Sequence, residues 1–323
     1  MTIKLSICIP TFNRAKYICE TLESIISQAS DEVEIVISDN ASTDDTEALV
    51  NKYQSQFSNI TYFRWGENRG PDRNFLKVVD LAQGSYCWLM GSDDTLASGA
   101  IERMLQEMDT GYDIYLCNRM ECDIGLKPIR SHRWLTNYGD ELFDFNDRQK
   151  LVAYLNDAQS LGSVFSYISA IVVRRQAWND VAFDESFIGS CYSHVYILLS
   201  IVLTGAKLKY IVASLVNCRS GNDSFLTSGY SDRVMIDFDG YMKLSSLFEP
   251  LGISDIFLNP LRMEHAHIRL LLITCIYQRD CHACVDKLMQ CGFPKWKVIL
   301  LRLSCRFAPK LKKLYTMYKL IKK

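Results

Sequence analysis

Two adjacent carboxylates directly follow a short apolar run in the sequence YCWLMGSDDTL, which spans residues 86–96. The run stops at Gly91, and Asp93 and Asp94 come immediately after the next residue. Two like charges at this spacing repel each other unless a cation lies between them. Carboxylate oxygens are the ligands that Mg²⁺ and Mn²⁺ prefer in proteins. The pattern therefore predicts a divalent-cation site at Asp93 and Asp94, with a solvated turn as the alternative.

Three further polar segments follow apolar runs earlier in the chain: PTFNR at residues 10–14, SDNASTDDT at 38–46 and GENRGPDRN at 66–74. In an open α/β sheet, ligands bind outside the carboxyl ends of the strands, so we expect all four segments to line one site. A carboxylate such as Asp39 can accept a hydrogen bond from the amine of a cytosine. Arg73 can neutralise a diphosphate, and Gly70 lets the backbone approach it. The segments therefore predict a nucleotide site.

The nucleotide-binding residues predicted at these segments are Pro10, Thr11, Asn13, Arg14, Asp39, Gly70, Arg73 and Asp93. A helix cap at Asp39 and a surface position for Arg73 are the alternatives. The chain contains neither G-x-G-x-x-G nor a Walker A sequence. We therefore expect neither a dinucleotide cofactor nor a P-loop.

Strands and helices alternate over the first 120 residues. This alternation would place the four polar segments at the carboxyl ends of successive strands. Strands are predicted at residues 3–10, 33–38, 60–65, 86–90 and 112–118. Helices are predicted at residues 15–28, 43–57, 71–82 and 98–108. Such alternation predicts parallel β-α-β units with right-handed crossovers.

The remainder of the chain is less regular. Two more strands are predicted at residues 166–174 and 206–213. A buried helix is predicted at residues 193–205. After about Ser231 the strand patterns end, and helical runs follow at residues 260–277 and 294–323. The pattern predicts one α/β domain followed by a helical extension.

The charge of the chain is uneven along its length. The formal net charge is −1, but residues 287–323 hold 11 Lys and Arg and no acid, which leaves 25 basic against 37 acidic residues before them. Apolar residues recur in this tail at Trp296, Leu300, Leu303, Phe307, Leu311, Leu314, Tyr318 and Ile321. A basic amphipathic helix is typical of proteins that lie on an anionic membrane surface. The alternative is a helix that docks on the acidic remainder, and a nucleic-acid partner is not expected.

The cysteines and the lengths of the apolar runs indicate the cellular compartment in which the protein is expected. The first apolar run, residues 5–10, is too short for a signal peptide. No run reaches the roughly 18 apolar residues of a membrane-spanning helix. We therefore expect the 12 cysteines to be reduced thiols in a cytoplasmic protein. Cys281-x-x-Cys284 could instead belong to a zinc site, but no second close pair completes four ligands.

Four segments, SICIPTFNR, EIVISDNASTDDT, NRGPDRN and LMGSDDTL, resemble in order and spacing the family 2 glycosyltransferases of the GT-A fold, over about residues 1–222. Within that family the chain looks most like bacterial O-antigen sugar transferases, in particular abequosyltransferases. The resemblance implies an α/β fold with a Rossmann-like, mostly parallel sheet and a C-terminal helical extension. It implies Mn²⁺- or Mg²⁺-dependent transfer from a nucleotide sugar, such as the CDP-linked dideoxyhexose CDP-abequose. The implied acceptor is an oligosaccharide linked to undecaprenyl diphosphate, in O-antigen and lipopolysaccharide biosynthesis.

The same resemblance implies that different parts of the chain have different functions. Residues 1–231 would form the GT-A domain, with a nucleotide-sugar-binding half at 1–120 and an acceptor half at 121–231. Residues 232–323 would form the helical extension with its membrane-associating tail. The protein would then work as a peripheral protein on the cytoplasmic face of the bacterial inner membrane.

Two departures from the family pattern affect the chemistry. Gly91 replaces the first acid of the usual Asp-Ser-Asp-Asp turn, which leaves Asp94 as the expected metal ligand and Asp93 nearer the ribose or the metal-bound waters. The family's general base usually opens a helix after an FDE-x-F segment. Here FDESF at residues 183–187 is followed by a helix without an acid, and His194 stands at about that position. An imidazole can act as a base near pH 7, and a mechanism that retains the anomeric configuration stays open.

Arg219 lies in CRSGNDSF, residues 218–225, which is expected to close over the diphosphate. A plain linker is the alternative for this segment. For the whole protein, the alternatives are a transferase for another nucleotide sugar and a nucleotide-binding module without transfer activity. A nucleotidyltransferase would also use paired acids and a metal, but the chain lacks a Gly-rich basic triphosphate loop.

Overall fold

A computed structural model describes residues 2–136, 139–223 and 229–321, with side chains to residue 316. Its sheet contains the strands β1 (Leu5–Thr11), β2 (Val33–Asp39), β3 (Ile60–Arg64), β4 (Tyr86–Leu89), β5 (Thr95–Leu96), β6 (Ile114–Cys122), β7 (Pro128–His132), β8 (Glu141–Asp144), β9 (Ile171–Arg174) and β10 (Lys207–Arg219). The order across the sheet is β3-β2-β1-β4-β9-β6-β10-β5. β7 pairs with β6, and β8 pairs with β10.

The helices fall into two groups along the chain. The first group is α1 (Ile18–Ile26), α2 (Thr46–Gln54), α3 (Gly70–Asp80), α4 (Ala100–Met108), α5 (Arg148–Asp157), α6 (Arg175–Asn179) and α7 (Ser193–Leu203). The second group is α8 (Tyr230–Ser245), α9 (Ser254–Phe257), α10 (Asn259–Glu264), α11 (Ile268–Tyr277), α12 (Cys281–Gln290), α13 (Lys295–Cys305) and α14 (Ala308–Ile321). Several begin or end a few residues inside the predicted ranges.

β1 and β2 form the centre of the first half of the sheet. Every residue of both strands is buried, which is typical of parallel strands covered by helices on both faces. β1 pairs in parallel with β2 and with β4, and β2 pairs in parallel with β3. The prediction of parallel β-α-β units is therefore confirmed for this half.

The second half of the sheet is mixed. β9 runs antiparallel to β4 and β6, whereas β6 and β10 are parallel. Only Ile171–Arg174 of the predicted strand 166–174 is extended, because a 3₁₀ helix at Ile168–Ala170 precedes it. The strand predicted at 206–213 continues to Arg219 and pairs with β5. This extension brings the end of β10 to the turn that holds the paired acids.

The chain divides into two compact units. The first comprises Met1–Asp157 and Gly162–Asn222, and the second comprises Ala158–Leu161 and Asp223–Lys323. Where the second unit is described, it is helical from α8 onward. Its core contains stacked aromatic rings, with 4.5 Å between the ring centres of Phe248 and Phe257.

The cysteines of the second unit differ from the expectation of reduced thiols. Cys281 and Cys305 form a disulfide that links α12 to α13. Cys284 lies instead beside Cys275, with 3.4 Å between the two sulfurs. The expectation was wrong for Cys281 and Cys305, because the packing of α12 on α13 brings together residues 24 positions apart. Cys281 and Cys284 therefore have different partners and do not act as one ligand pair.

α13 has two apolar faces. Val298, Leu301 and Cys305 are buried in the second unit. Trp296 and Ile299 on the other face are 59% and 60% exposed. Further exposed apolar residues of the tail are Leu300, Leu303, Phe307 and Leu314. No helix in the described ranges is long and apolar enough to cross a membrane. The side chains of Tyr318 and Ile321 lie outside the described part.

Candidate active site at the carboxyl edge of the sheet

Three strand ends meet at one edge of the sheet because β1 has β2 and β4 as parallel neighbours. Thr11 at the end of β1 lies opposite Asp39 at the end of β2. The two following loops are joined, since the backbone N–H of Asn13 donates to Ser42 Oγ at 2.8 Å. The structure therefore brings the first, second and fourth polar segments together.

The third polar segment reaches the same edge through α3. The backbone N–H of Arg69 donates to Asn40 Oδ1 at 2.8 Å. Asn74 Nδ2 donates to the carbonyl oxygen of Ser38 at 2.9 Å, which ties α3 to the end of β2. Gly70 has a φ of +80° and no atom within 4 Å of the position where a Cβ would lie. This backbone conformation favours glycine, and it leaves the start of α3 open.

Asp94 is held by three donors in the turn between β4 and β5. Its Oδ2 accepts hydrogen bonds from the hydroxyls of Tyr167 and Ser169, both at 2.6 Å. Its Oδ1 accepts the backbone N–H of Arg219 at 3.0 Å. The 3₁₀ segment before β9 and the end of β10 thus fix this carboxylate in one orientation. Sequence reasoning missed Tyr167 and Ser169, since they lie within a segment predicted as a plain strand.

Asp93 has fewer partners and faces the basic residue of the first polar segment. Its Oδ2 accepts from Asn222 Nδ2 at 2.7 Å. The same oxygen lies 3.6 Å from Arg14 Nη2. Arg14 is therefore the predicted nucleotide-binding cation that the structure places beside the paired acids.

Both carboxylates of the acidic turn are harder to ionise than a free aspartate. Burial, followed by the negative charge of Asp94, raises the pKa of Asp93 to about 6. Burial also raises the pKa of Asp94, although the Ser169 and Tyr167 hydroxyls oppose this shift. A Cβ at Gly91 would lie 3.1 Å from Asp94 Oδ2 and 3.2 Å from Asp93 Oδ1. The missing side chain at Gly91 therefore leaves room where both carboxylates converge, and a cation would relieve their repulsion.

Asp93 and Asp94 have the ligand chemistry that suits a hard divalent cation. The described residues contain no group of three or more His, Cys, Asp or Glu side chains able to hold a metal ion. Mg²⁺ commonly takes one or two protein carboxylates and completes its shell with waters and phosphate oxygens. Asp93 and Asp94 supply that number of carboxylates. The two carboxylates would therefore fit a divalent cation that completes its shell with other oxygen ligands.

Arg219 uses all three side-chain nitrogens within the protein. Its Nε donates to the carbonyl oxygen of Asp93 at 2.9 Å, and Nη1 donates to that of Ile124 at 2.6 Å. Its Nη2 lies 2.5 Å from Glu20 Oε2. The guanidinium therefore supports the acidic turn from behind. A contact of Arg219 with a diphosphate stays a prediction, and it would require these bonds to break. Residues 224–225 of the CRSGNDSF segment lie outside the described ranges.

Asp39 is completely buried and shapes the loop after β2. Its Oδ1 accepts from the backbone N–H and the hydroxyl of Ser42, at 2.9 and 2.6 Å. Its Oδ2 accepts from the Tyr62 hydroxyl at 2.6 Å. A nucleotide base would have to replace one of these donors. The base contact of Asp39 stays a prediction.

Arg73 lies at the outer side of the site. Its Nη2 is 3.2 Å from Glu185 Oε2, and the two side chains are 44% and 69% exposed. Exposed ion pairs of this kind contribute little stability, so Arg73 can exchange Glu185 for a phosphate. Pro10 and Thr11 are buried in β1. Thr11 Oγ1 is buried without a hydrogen-bond partner among the described residues.

His194 lies on the buried side of α7. Its ring meets that of Phe75 edge-on, with 5.0 Å between the ring centres. Neither ring nitrogen has a partner at hydrogen-bonding geometry in the described part of the chain. Burial lowers the pKa of His194 to about 4, against the opposing charge of Asp72. The imidazole is therefore neutral and weakly basic at pH 7, and its role as general base stays a prediction.

Asp72 fixes the start of α7 and was missed by sequence reasoning. Its Oδ2 accepts the backbone N–H groups of Gly189 and Cys191 at 2.8 and 2.9 Å. Its Oδ1 accepts the backbone N–H of Ser193 at 3.0 Å. These bonds join α3 to the segment before α7. The GPDRN sequence contains Asp72, but its partners lie more than 110 residues away.

Comparison with known proteins gives related sequences over much of the chain. The sequence model of Glycosyl transferase family 2 matches residues 6–181. An abequosyltransferase of Salmonella typhimurium is 44% identical over 255 residues, which cover 77% of this chain and 77% of that protein. A GalNAc(5)-diNAcBac-PP-undecaprenol beta-1,3-glucosyltransferase of Campylobacter jejuni is 36% identical over 110 residues, 34% of this chain and 36% of that protein.

Solved structures share the fold. TarS 1–349 of S. aureus, in complex with UDP-GlcNAc, is similar with a TM-score of 0.59 and 16% identity, covering 94% of this chain and 92% of that one. The mannosyltransferase PcManGT from Pyrobaculum calidifontis, in complex with GDP-Man and Mn²⁺, has a TM-score of 0.53 and 15% identity, covering 98% and 88%. Similarity at this identity shows the fold alone. It confirms the predicted GT-A fold with a mostly parallel sheet and a C-terminal helical region.

Proposed function

The chain belongs to glycosyl transferase family 2, and we propose that its carboxyl sheet edge binds a nucleotide-sugar donor and transfers the sugar to a lipid-linked oligosaccharide. Family membership makes the protein a glycosyltransferase, as the sequence predicted. The observation that carries the proposal is the pair of acids after β4, of which Asp94 is buried and Asp93 is half-buried. They lie at the same sheet edge as the polar ends of β1 and β2.

Different residues at this edge would contact different parts of the donor. Asp39 and the loop after β2 would face the base, and Asp93 and Asp94 would face the diphosphate. A Mn²⁺ or Mg²⁺ ion bound there would neutralise the charge that develops on the diphosphate as the sugar leaves. Arg14, which lies 3.6 Å from Asp93, would share that charge. Arg73 would bind the outer phosphate after leaving Glu185.

The donor we propose is a CDP-linked dideoxyhexose such as CDP-abequose. The support is the 44% identity to an abequosyltransferase over 77% of both chains. A carboxylate at Asp39 suits the exocyclic amine of cytosine. Another nucleotide sugar in surface-polysaccharide synthesis is the alternative for the same site.

The acceptor we propose is an oligosaccharide linked to undecaprenyl diphosphate, in O-antigen synthesis. The Campylobacter relative is named for a PP-undecaprenol substrate. The exposed apolar face of α13, with Trp296 and Ile299 outward, supports a peripheral position on the anionic inner face of the bacterial inner membrane. Basic residues near an anionic surface contribute about 1 kcal/mol each. We assign residues 1–120 to the donor, 121–231 to the acceptor and 232–323 to membrane association.

Binding and turnover of nucleotides test this proposal. Thermal unfolding of the full-length protein would be followed with CDP, UDP, GDP and dTDP, each with Mn²⁺ and with EDTA. A ligand that binds only the folded protein raises its stability by mass action. We expect CDP with Mn²⁺ to give the largest rise, and release of CDP from a CDP-sugar to follow. Equal melting curves with all four nucleotides, and no turnover of their sugars, would reject the proposal.

A further inference from the structure

A polar cluster on β6 and β7 adjoins the acidic turn. Arg119 and His132 are opposite residues of the antiparallel β6–β7 pair. Arg119 Nη2 and His132 Nδ1 each lie 3.2 Å from Glu121 Oε1. The Arg119 guanidinium carbon lies 4.4 Å from the ring centre of Tyr167, and the Tyr167 hydroxyl donates to Asp94. One aromatic ring therefore separates this cluster from the paired acids.

Two polar atoms of the cluster are unpaired. Arg119 Nε and His132 Nε2 are buried and have no hydrogen-bond partner among the described residues. A buried polar atom without a partner costs about 1–3 kcal/mol, and native proteins contain few of them. Two such atoms on opposite residues beside a catalytic turn indicate a place for a ligand group.

Aromatic packing holds both side chains in place. The His132 ring lies 4.6 Å from that of Trp134, and the Arg119 guanidinium carbon lies 4.9 Å from the same indole. Arg119 thus lies against both Trp134 and Tyr167. The indole N–H of Trp134 donates to the Cys117 carbonyl oxygen at 2.7 Å. The cluster is therefore preorganised before any ligand binds, which lowers the cost of binding.

The two unpaired atoms have opposite hydrogen-bonding character. Arg119 Nε carries an N–H and can only donate. Glu121 Oε1 lies 3.2 Å from His132 Nδ1, and a proton assigned to Nδ1 from this contact leaves a lone pair on Nε2. Burial and the charge of Arg119 lower the pKa of His132, which favours the neutral ring. A hydroxyl can accept from Arg119 and donate to His132, whereas an anion can only accept.

The strand order decides which substrate presents this hydroxyl. β1 and β2 lie on one side of β4, and β9 and β6 lie on the other side. A donor with its base at Asp39 and its diphosphate at Asp94 extends from β2 to β4. With the donor placed there, the side of β6 is left for the acceptor.

We propose that Arg119 and His132 bind one hydroxyl group of the acceptor sugar, with Glu121 orienting the imidazole. This inference rests on the proposed function, since it needs a donor bound at the acidic turn. Both residues are positioned for acceptor binding, and the proposal assigns no part in nucleotide binding to them.

The test compares three variants of the full-length protein. His132→Phe keeps a ring against Trp134 and removes Nε2. Arg119→Lys keeps the charge and removes the Nε donor. Ile129→Ala, at a 63% exposed position on β7, is the matched control. Binding of the methyl α-glycosides of mannose, galactose, glucose and rhamnose would be measured by saturation-transfer NMR and calorimetry, with CDP and Mn²⁺ present.

We expect at least one glycoside to bind the wild type and the control alike. His132→Phe and Arg119→Lys should each weaken that binding about tenfold, which corresponds to about 1.4 kcal/mol. The affinity for CDP should not change, and His132→Phe should not lower the melting temperature, because it removes a buried atom that has no partner among the described residues. A role in folding alone would lower the melting temperature and spare the glycoside, and that result would overturn the inference.

Two further outcomes would also overturn it: no glycoside binding by the wild type, or equal binding by all variants. A different result would reject the proposed function. If the wild type turns over no nucleotide sugar, the donor site is wrong whatever the glycosides do. If it turns over a donor while His132→Phe and Arg119→Lys bind the glycoside normally, only the acceptor inference falls.

Discussion

Replacing Asp93 by Asn should stabilise the folded protein at neutral pH while removing transfer activity. Burial and the charge of Asp94 raise the pKa of Asp93 to about 6 in the folded protein, whereas an unperturbed Asp titrates near about 3.9. Ionised Asp93 is therefore unfavourable in the native state. Asparagine keeps an oxygen for the 2.7 Å bond from Asn222 Nδ2 and loses the contact with Arg14.

The sign and size of the effect follow from the two pKa values. Because the folded pKa lies above the unfolded one, the unfolded chain releases its proton first. The free energy of unfolding therefore falls as pH rises from about 4 through about 6. One pKa unit corresponds to 1.36 kcal/mol, so about two units give a penalty of roughly 3 kcal/mol at pH 7.5. The attraction of Arg14 already lowers this pKa, so its loss is not deducted again, and Asp93→Asn should gain up to roughly 3 kcal/mol.

Urea unfolding at pH 4, 5.5 and 7.5 in EDTA would measure this gain. We expect the difference between Asp93→Asn and wild type to be near zero at pH 4 and to grow at each step. Asp80→Asn is the matched control, because Asp80 is an exposed acid paired with Lys77. An Asp93→Asn protein that is less stable than wild type at pH 7.5, or a difference that does not depend on pH, would refute the reasoning.

Three other changes test the remaining assignments. Asp39→Asn should weaken CDP binding about tenfold, which corresponds to about 1.4 kcal/mol, and should not alter the Mn²⁺ requirement. If calorimetry shows unchanged CDP affinity, the role of Asp39 is limited to shaping its loop through Ser42 and Tyr62. His194→Phe tests the predicted general base: a base predicts a loss of about 10²- to 10⁴-fold in rate with unchanged donor binding, whereas a rate within about threefold of the wild type would remove His194 from the site. Trp296→Ser combined with Leu300→Ser should reduce sedimentation with phosphatidylglycerol vesicles at least about tenfold, since burying one large apolar side chain contributes about 1.5–3 kcal/mol. Equal sedimentation of this variant, or none by the wild type at low salt, would contradict the membrane assignment.

The sheet edge that carries the polar segments could be predicted from sequence because its signals are local. Each polar segment directly follows an apolar run that became a strand, and parallel pairing brings the strand ends together. The predicted runs before Thr11, Asp39 and the acidic turn are β1, β2 and β4. The sequence therefore located the edge without any knowledge of side-chain contacts.

The support of the acidic turn could not be predicted in this way. Tyr167 and Ser169 lie 73 and 75 residues after Asp94, and the Arg219 N–H comes from 125 residues away. No local period or spacing relates such positions. The segment of Arg219 was predicted to close over a diphosphate, and nothing in that segment shows that Glu20 and Ile124 face the side chain. Long-range packing decides whether a charge is free for a ligand.

Transfer by the full-length protein, with Mn²⁺ or with EDTA, tests the central claim most directly. A labelled CDP-sugar and a lipid-linked oligosaccharide acceptor would be supplied to the wild type and to Asp94→Asn. We predict labelled product from the wild type with Mn²⁺ only, and a rate at least about 10²-fold lower for Asp94→Asn, because charge stabilisation by a bound metal contributes several kcal/mol. Full transfer in EDTA, or a wild-type rate from Asp94→Asn, would contradict a requirement for a divalent cation at the acidic turn.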